Sequence, residues 1–307
     1  MKQFDVAVVG EIYVDHVLTG FAKWPEPGEE VFTDEYVREV GGGAAITACA
    51  LARLGRTVSL IGIVGEKEMP WIEQRLANFG VSSTGLRQSS GSTGVTVSVS
   101  SSVDRSFFTF RGENKKLEDQ LANGSIAQQL AQARHVHFAM PLSLSLAEHL
   151  LFKLHGAECT TSLDVGHQVA WLQDEANHWT CSKVDYMLPN EREAKILCAC
   201  DAQHFLDFTK ERQWPSGVVK MGAAGAIMRS SNGALQVRSP YVAAVDTTGA
   251  GDAFDAGFID GLLDNAGGEE CLRRGCICGG LSTRAAGALR ALPTRNELKQ
   301  CYGESYG

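Results

Sequence analysis

Short apolar runs and polar, alternating runs divide the chain into two kinds of territory. Val6–Val9 is a continuous apolar run that stops at Gly10 and reads as a buried strand. Residues 12–40 mix polar and β-branched residues, with turn signals at Pro25, Pro27 and Gly28. They read as exposed strands of a small sheet, clearest over Glu30–Val40. From Gly41 to Leu54 the chain becomes a helix of small residues, Ala44 through Ala52. Strand Val58–Val64 and helix Trp71–Phe79 follow. Residues 88–94, rich in Ser and Gly, read as a loop. Val95–Val99 and Phe107–Phe110 alternate as antiparallel strands do, with Asp104 near their turn. From residue 125 onward helices alternate with short apolar strands, at Val136–Ala139, Thr161–Val165, Tyr186–Leu188 and Val218–Met221. Ser231-Asn232-Gly233 marks a hairpin turn. Beyond Asp246 the chain is mostly helical and frequent in Gly.

This alternation predicts an α/β fold with a mainly parallel sheet and helices on both faces. The polar strand stretches at about 12–40 and 93–110 interrupt it early. The simplest arrangement is one domain over residues 1–307 carrying a small β lid built from both insertions. With 307 residues, 44% hydrophobic and 21% charged, the chain has a soluble globular balance. No apolar run of about 18 residues exists to cross a membrane. The first residues lack the apolar stretch of a signal peptide, so a cytoplasmic location is expected. A net charge of -8 argues against a nucleic-acid partner. The nine cysteines are odd in number, form no CxxC and complete no zinc spacing, and so read as reduced thiols.

The strongest chemical signal is Asp246-Thr247-Thr248-Gly249-Ala250-Gly251-Asp252, followed by Ala253-Phe254-Asp255-Ala256-Gly257. Two glycines open a helix, where unpaired N–H groups and the positive helix end can hold a transferring phosphoryl group. Asp252 falls in the first turn, where a carboxylate can orient an attacking hydroxyl and accept its proton. The helix end favours its ionised form, so a weak base is expected. On spacing alone, a Gly-rich turn with an ordinary N-terminal Asp is an equal reading. Gly41-Gly42-Gly43 opens a helix of small residues and permits close approach of a ligand or a backbone. Pro189-Asn190-Glu191-Arg192-Glu193 follows a strand; Asn190 and Glu193 form a capping pair, or line a phosphate and magnesium region at the strand's carboxyl end. Lys220-Met221-Gly222-Ala223-Ala224-Gly225 is a nucleotide-facing loop or a plain hairpin. No GxxxxGK[ST] segment and no HRD with DFG occur, which excludes P-loop enzymes and protein kinases. His135 and His137 alternate on a strand and read as structural.

In this order the pieces resemble the ribokinase-like (PfkB) family of carbohydrate and nucleoside kinases, over nearly the whole chain. The resemblance rests on Gly10 with Asp15, Pro27-Gly28-Glu29, Gly41-Gly42 opening a helix that ends Ala52-Arg53-Leu54-Gly55, Asn190–Glu193, Lys220–Gly225 and the long signature Asp246–Gly257. It implies a three-layer αβα sandwich with a mainly parallel central sheet and a small β-sheet lid. It implies Asp252 as catalytic base, with Gly249, Ala250 and Gly251 as anion hole. Asp15, Gly42, Gly43, the Ile46 position and Phe110 would face the sugar. Asn190, Lys220, Gly222 and Gly225 would lie along ATP, and Gly279 and Ser282 near the adenine. Glu193 would serve magnesium through water. Asp246, Thr248 and backbone near Gly287 would hold a monovalent cation such as potassium. The lid would close over the sugar and pair into a homodimer. Two departures touch substrate recognition. Ile46 stands where the family usually has a sugar-binding Asn, and Val64-Gly65-Glu66-Lys67-Glu68-Met69-Pro70 replaces the usual VGxDxxG. The resemblance therefore implies ATP-dependent phosphorylation of a sugar or modified sugar. A nucleoside acceptor and a catalytically idle sugar or nucleotide sensor are the alternatives, with a dehydrogenase far behind.

Overall fold

The computed structural model describes residues 2–21, 23–101, 105–199, 201–230 and 233–306. Asp104, Cys200 and the Ser231-Asn232 half of the expected hairpin turn lie outside the described residues. Among the described residues, thirteen strands form two sheets. In chain order they are β1 (Phe4–Gly10), β2 (Tyr13–Phe21), β3 (Glu35–Gly41), β4 (Val58–Gly65), β5 (Val81–Ser89), β6 (Gly94–Ser101), β7 (Arg105–Phe110), β8 (Ala133–Ala139), β9 (Thr160–Leu163), β10 (Tyr186–Met187), β11 (Ser216–Lys220), β12 (Ala226–Ser230) and β13 (Gly233–Val237).

The large sheet runs β13-β12-β11-β10-β9-β8-β1-β4-β5. It is parallel from β5 to β11 and antiparallel only at its β12 and β13 edge. In β1 the fully buried stretch Val6–Val9 shows why a strand covered on both faces is apolar. Ala7 and Val9 enter one core with Leu121, Ile126 and Leu150, while Val6 and Val8 enter the opposite one with Ala44, Leu51 and Ala253. Chain order reverses between β8 and β1, which creates a crevice at the strands' carboxyl ends. Gly10 ends β1 there because a Cβ would stand 2.7 Å from the Ala139 carbonyl.

The small sheet runs β3-β2-β6-β7. It springs from the crevice directly after β1. Asn114, 2% exposed, fixes the departure: it accepts from the Ile12 amide at 3.1 Å and donates to the Ile12 carbonyl at 2.8 Å. The expected strand Glu30–Val40 begins only at Glu35; Glu30–Asp34 precede it without ladder pairing. Residues 88–94 are not wholly loop, since Gln88 and Ser89 pair in parallel with Val64 and Gly65 as the end of β5. That edge strand has weak alternation and no central apolar run, so its pattern carries little strand signal.

Candidate active site

The long helix Ala250–Leu263 starts at Gly249, whose φ of 75° is left-handed. A Cβ on Gly249 would lie 2.8 Å from Ala288 Cβ and 3.1 Å from Ile46 Cγ2, so only glycine fits this turn. The Ala250 amide donates to the Thr247 carbonyl at 3.3 Å, and exposed Gly251 opens the start of the helix to a cavity. Asp252 follows in that first turn, half-buried at the cavity wall.

Two contacts from the helix Gly43–Arg53 hold Asp252. Thr47 Oγ1 donates to the Asp252 carbonyl at 3.2 Å. A Cβ on Gly43 would lie 2.6 Å from Asp252 Oδ1, so the third glycine of the run is where the two helices meet. Gly42, at φ 91°, caps this helix; a Cβ there would meet the Glu11 carbonyl at 2.3 Å. Burial, reinforced by the nearby Asp164 charge, pushes Asp252 up to about 7. The weak base expected from the helix end is thereby corrected: desolvation outweighs the dipole and the Lys220 charge.

Lys220, 8% exposed at the end of β11, reaches the same place. Its Nζ donates to Asp164 Oδ2 at 2.6 Å and to the two oxygens of Asp255 at 3.1 and 3.3 Å. Asp164, Asp252 and Asp255 each bring a carboxylate oxygen within 4.8 Å of the others. Burial first, and then the Asp164 charge, raise Asp255 well above its ordinary range despite Lys220. Sequence reasoning missed Asp164 and Asp255. The signals were there: an acid at the carboxyl end of an apolar strand, and one three residues after Asp252 inside the apolar run of a helix. His135 and His137 are fully buried on β8 and share Ser162 Oγ at 2.8 Å each. Burial holds them neutral, lowered to about 3 and about 4 respectively.

A cavity of 610 Å³ extends from Asp252. Asn190, Glu193, Lys220, Gly222, Gly225 and Gly279 line it, as the sequence motifs anticipate. Asn190 and Glu193 form a full capping box: Asn190 Oδ1 accepts from the Glu193 amide at 3.0 Å and Glu193 Oε2 from the Asn190 amide at 2.9 Å. The cap and the cavity position coexist. Glu193, 4% exposed, spends one bond per oxygen on Asn190, which leaves lone pairs suited to water around a hard cation. Ser282 is a correction: the residue is 1% exposed, its hydroxyl donates to the Gly279 carbonyl at 2.8 Å, and it does not line the cavity. Asp246 Oδ1 accepts from the Thr248 amide at 2.9 Å and its hydroxyl at 2.7 Å, and Oδ2 accepts from the Gly287 amide at 2.9 Å. These residues thus close one loop behind the Gly249 turn.

The acceptor-side candidates Asp15, Gly42 and Gly43 do not line this cavity; they lie at the base of the lid, where Gly43 touches Asp252. Burial and Glu39 push Asp15 up to about 7, and Gly41 leaves it room, since a Cβ there would overlap its carboxylate. Phe110 is on the wrong face. Asp15 pairs with Thr96, and Thr96 with Thr109, whereas Phe110 pairs with Val95. Cross-strand partners share a face, so Thr109 is on the Asp15 side and Phe110 points away. Ile46 is 4% exposed and packs under Gly249 in the core. It is a floor for the turn, and its burial corrects the expectation of a direct substrate contact.

Comparison with known proteins follows the same outline. A family model for the pfkB family carbohydrate kinases matches residues 3–295. The chain is similar to a ribokinase of Haemophilus influenzae, 28% identical over 303 residues, covering 95% of this chain and 96% of that one. It is similar to a deoxyribokinase of Salmonella typhi, 25% identical over 309 residues, covering 96% and 98%. Among solved structures, Arabidopsis thaliana ribokinase complexed with ribose and ATP superposes with a TM-score of 0.81 at 23% identity, over 97% of this chain and 98% of that one.

Proposed function

This chain belongs to the pfkB family of carbohydrate kinases, and from that premise we propose that it moves the γ-phosphoryl group of ATP to a hydroxyl, a primary one, of a sugar or modified sugar. The observation that carries the reading is the Asp252 carboxylate beside the Gly249–Gly251 turn, between a large cavity and the base of the lid. The acceptor oxygen bonds to the γ-phosphorus as the bond to the β–γ bridging oxygen breaks. The hydroxyl proton goes to Asp252, and ADP leaves. The amides from Gly249 to Gly251 hold the charge of the group in transit. Glu193 would hold, through water, a magnesium ion bound with the nucleotide, and that ion would supply charge to offset the phosphate oxygens.

On the acceptor side Asp15 suits the hydroxyls of a polyhydroxyl acceptor, while Arg75 neutralises the neighbouring Glu39. The exposed Phe108, Phe110, Trp24 and Tyr36 of the lid would cover one another in a homodimer.

The test is ADP release from ATP and magnesium over sugars, sugar acids, sulfonated sugars and nucleosides, with and without potassium. Turnover on one sugar class is the expected result, and a potassium requirement would assign the Asp246 loop as a cation site. Turnover on nucleosides alone would replace the acceptor. ATP binding without turnover anywhere would favour a sensor.

Gly43 offers a sharper check on geometry. Gly43→Ala should keep the fold, since alanine suits a helical position, but its methyl would displace the Asp252 carboxylate. A misplacement of this size should lower kcat about 10–100-fold. Steady-state kinetics beside a thermal melt read both parts; full kcat would mean that Asp252 is not held by this contact.

A further inference from the structure

Three carboxylates whose oxygens lie within 4.8 Å of one another are an arrangement that ordinarily collects a divalent cation. Here the space between two of them is already taken by a side chain. The Lys220 ammonium bonds both Asp164 and Asp255. Its backbone is fixed as well: the Lys220 amide donates to the Pro189 carbonyl at 2.9 Å, and the residue bridges to Asn190. Its Nζ stands 3.5 Å from where a Cβ on Gly251 would be, directly under the turn that faces the cavity. Asp255 is fully buried beside Asp164, and a further neighbour, His137 Nε2 at 4.0 Å, has no hydrogen-bond partner among the described residues. A neutral imidazole supplies no charge, so the lysine is the cation of this group.

Building on the kinase reading, we propose that the Lys220 ammonium takes the place of a second divalent ion among Asp164, Asp252 and Asp255, and is a catalytic group that presents its charge to the transferring phosphoryl at Gly251. Enzymes that transfer phosphoryl groups commonly spread the developing charge over two metal ions. A buried ammonium gives one unit of that charge at a fixed position, with nothing to recruit from solution. It also lets Asp164 remain ionised in a site where three like charges could not all persist.

Removing the ammonium should open the site to a metal. Nucleotide-free Lys220→Met, titrated with Mn²⁺ and read by electron paramagnetic resonance, should bind one more ion per chain than wild type. Adding Asp255→Asn should abolish that ion. With ATP and an acceptor, Lys220→Met should lose about 10³-fold in kcat with little change in the KM for ATP, and regain part of it as Mn²⁺ fills the new site. Equal Mn²⁺ stoichiometry in the two proteins, or a kcat within about threefold of wild type, overturns the proposal. If Lys220→Met does not fold in metal-free buffer, recovery of its thermal transition on adding Mn²⁺ supports the substitution of ion for lysine, and no recovery overturns it. A wild type that phosphorylates nothing would refute the kinase reading instead, and the Mn²⁺ stoichiometry would still decide whether Lys220 stands in for a metal.

Discussion

Asp252→Asn should fold as the wild type does and lose about 10²–10⁴ in kcat, because the amide keeps the shape and cannot take the acceptor proton. The pH profile gives the stronger discrimination. A base must be ionised to act, and Asp252 is pushed up to about 7 from its ordinary value of 3.8. In the wild type, kcat/KM should therefore rise with pH through about 7 and level off above it. In the Asn variant the residual rate should lose that inflection. An unchanged profile would move the base elsewhere.

Stability should move in the opposite direction. A carboxyl whose folded value is raised binds its proton more tightly in the folded state, so its contribution is present at low pH and is lost as pH rises through about 7. The Asn variant has no such proton to lose. Its melting temperature should match the wild type near pH 4 and exceed it by several degrees at pH 8. Scanning fluorimetry across that range reads the effect. Identical melting temperatures at pH 8 would mean that the buried charge costs nothing, and would undercut the raised value.

Asp260→Ala should be the most damaging single change to the fold. Asp260 is fully buried two turns beyond Asp252. Its Oδ1 accepts from Arg56 Nε at 2.7 Å, and its Oδ2 from Arg274 Nη1 at 2.7 Å and Arg295 Nη1 at 2.6 Å. Those arginines come from the turn before β4, the helix Gly268–Ser282 and the helix Arg295–Tyr306, so one carboxylate ties three segments to the helix Ala250–Leu263. Deleting it strands partly buried guanidiniums and should cost about 3–5 kcal/mol, lowering the melting temperature by on the order of 10 °C. The exposed pair Arg284–Glu297, at 2.9 Å, is the contrast: removing it should cost under about 1 kcal/mol. Equal losses from the two substitutions in denaturant titrations would refute the ranking. Arg56 and Arg274 also bind Asp264, which leaves part of the network in place and sets the upper bound.

What the chain's sequence determined by itself is local. Continuous apolar runs marked the buried parallel strands, because a strand covered on both faces buries side chains on either side and is apolar at most positions. Polar alternation marked the lid strands, and the edge strand β5 escaped because it has neither pattern. The Asp246–Gly257 segment, the capping pair Asn190 and Glu193, and the glycine openings were legible for the same reason: each device is complete within a few residues. Tertiary structure alone decided the rest. It set Gly43 against Asp252, tied Lys220 to Asp164 and Asp255, gathered three arginines on Asp260, turned Phe110 away from Asp15 and sent Ile46 beneath Gly249. These are contacts between distant segments, or a choice of sheet face that a one-residue shift in register reverses. The charge of Asp252 belongs with them. A helix end read from sequence favours the ionised form, but burial among other acids exists only once the strands and helices have met, and it is the larger effect.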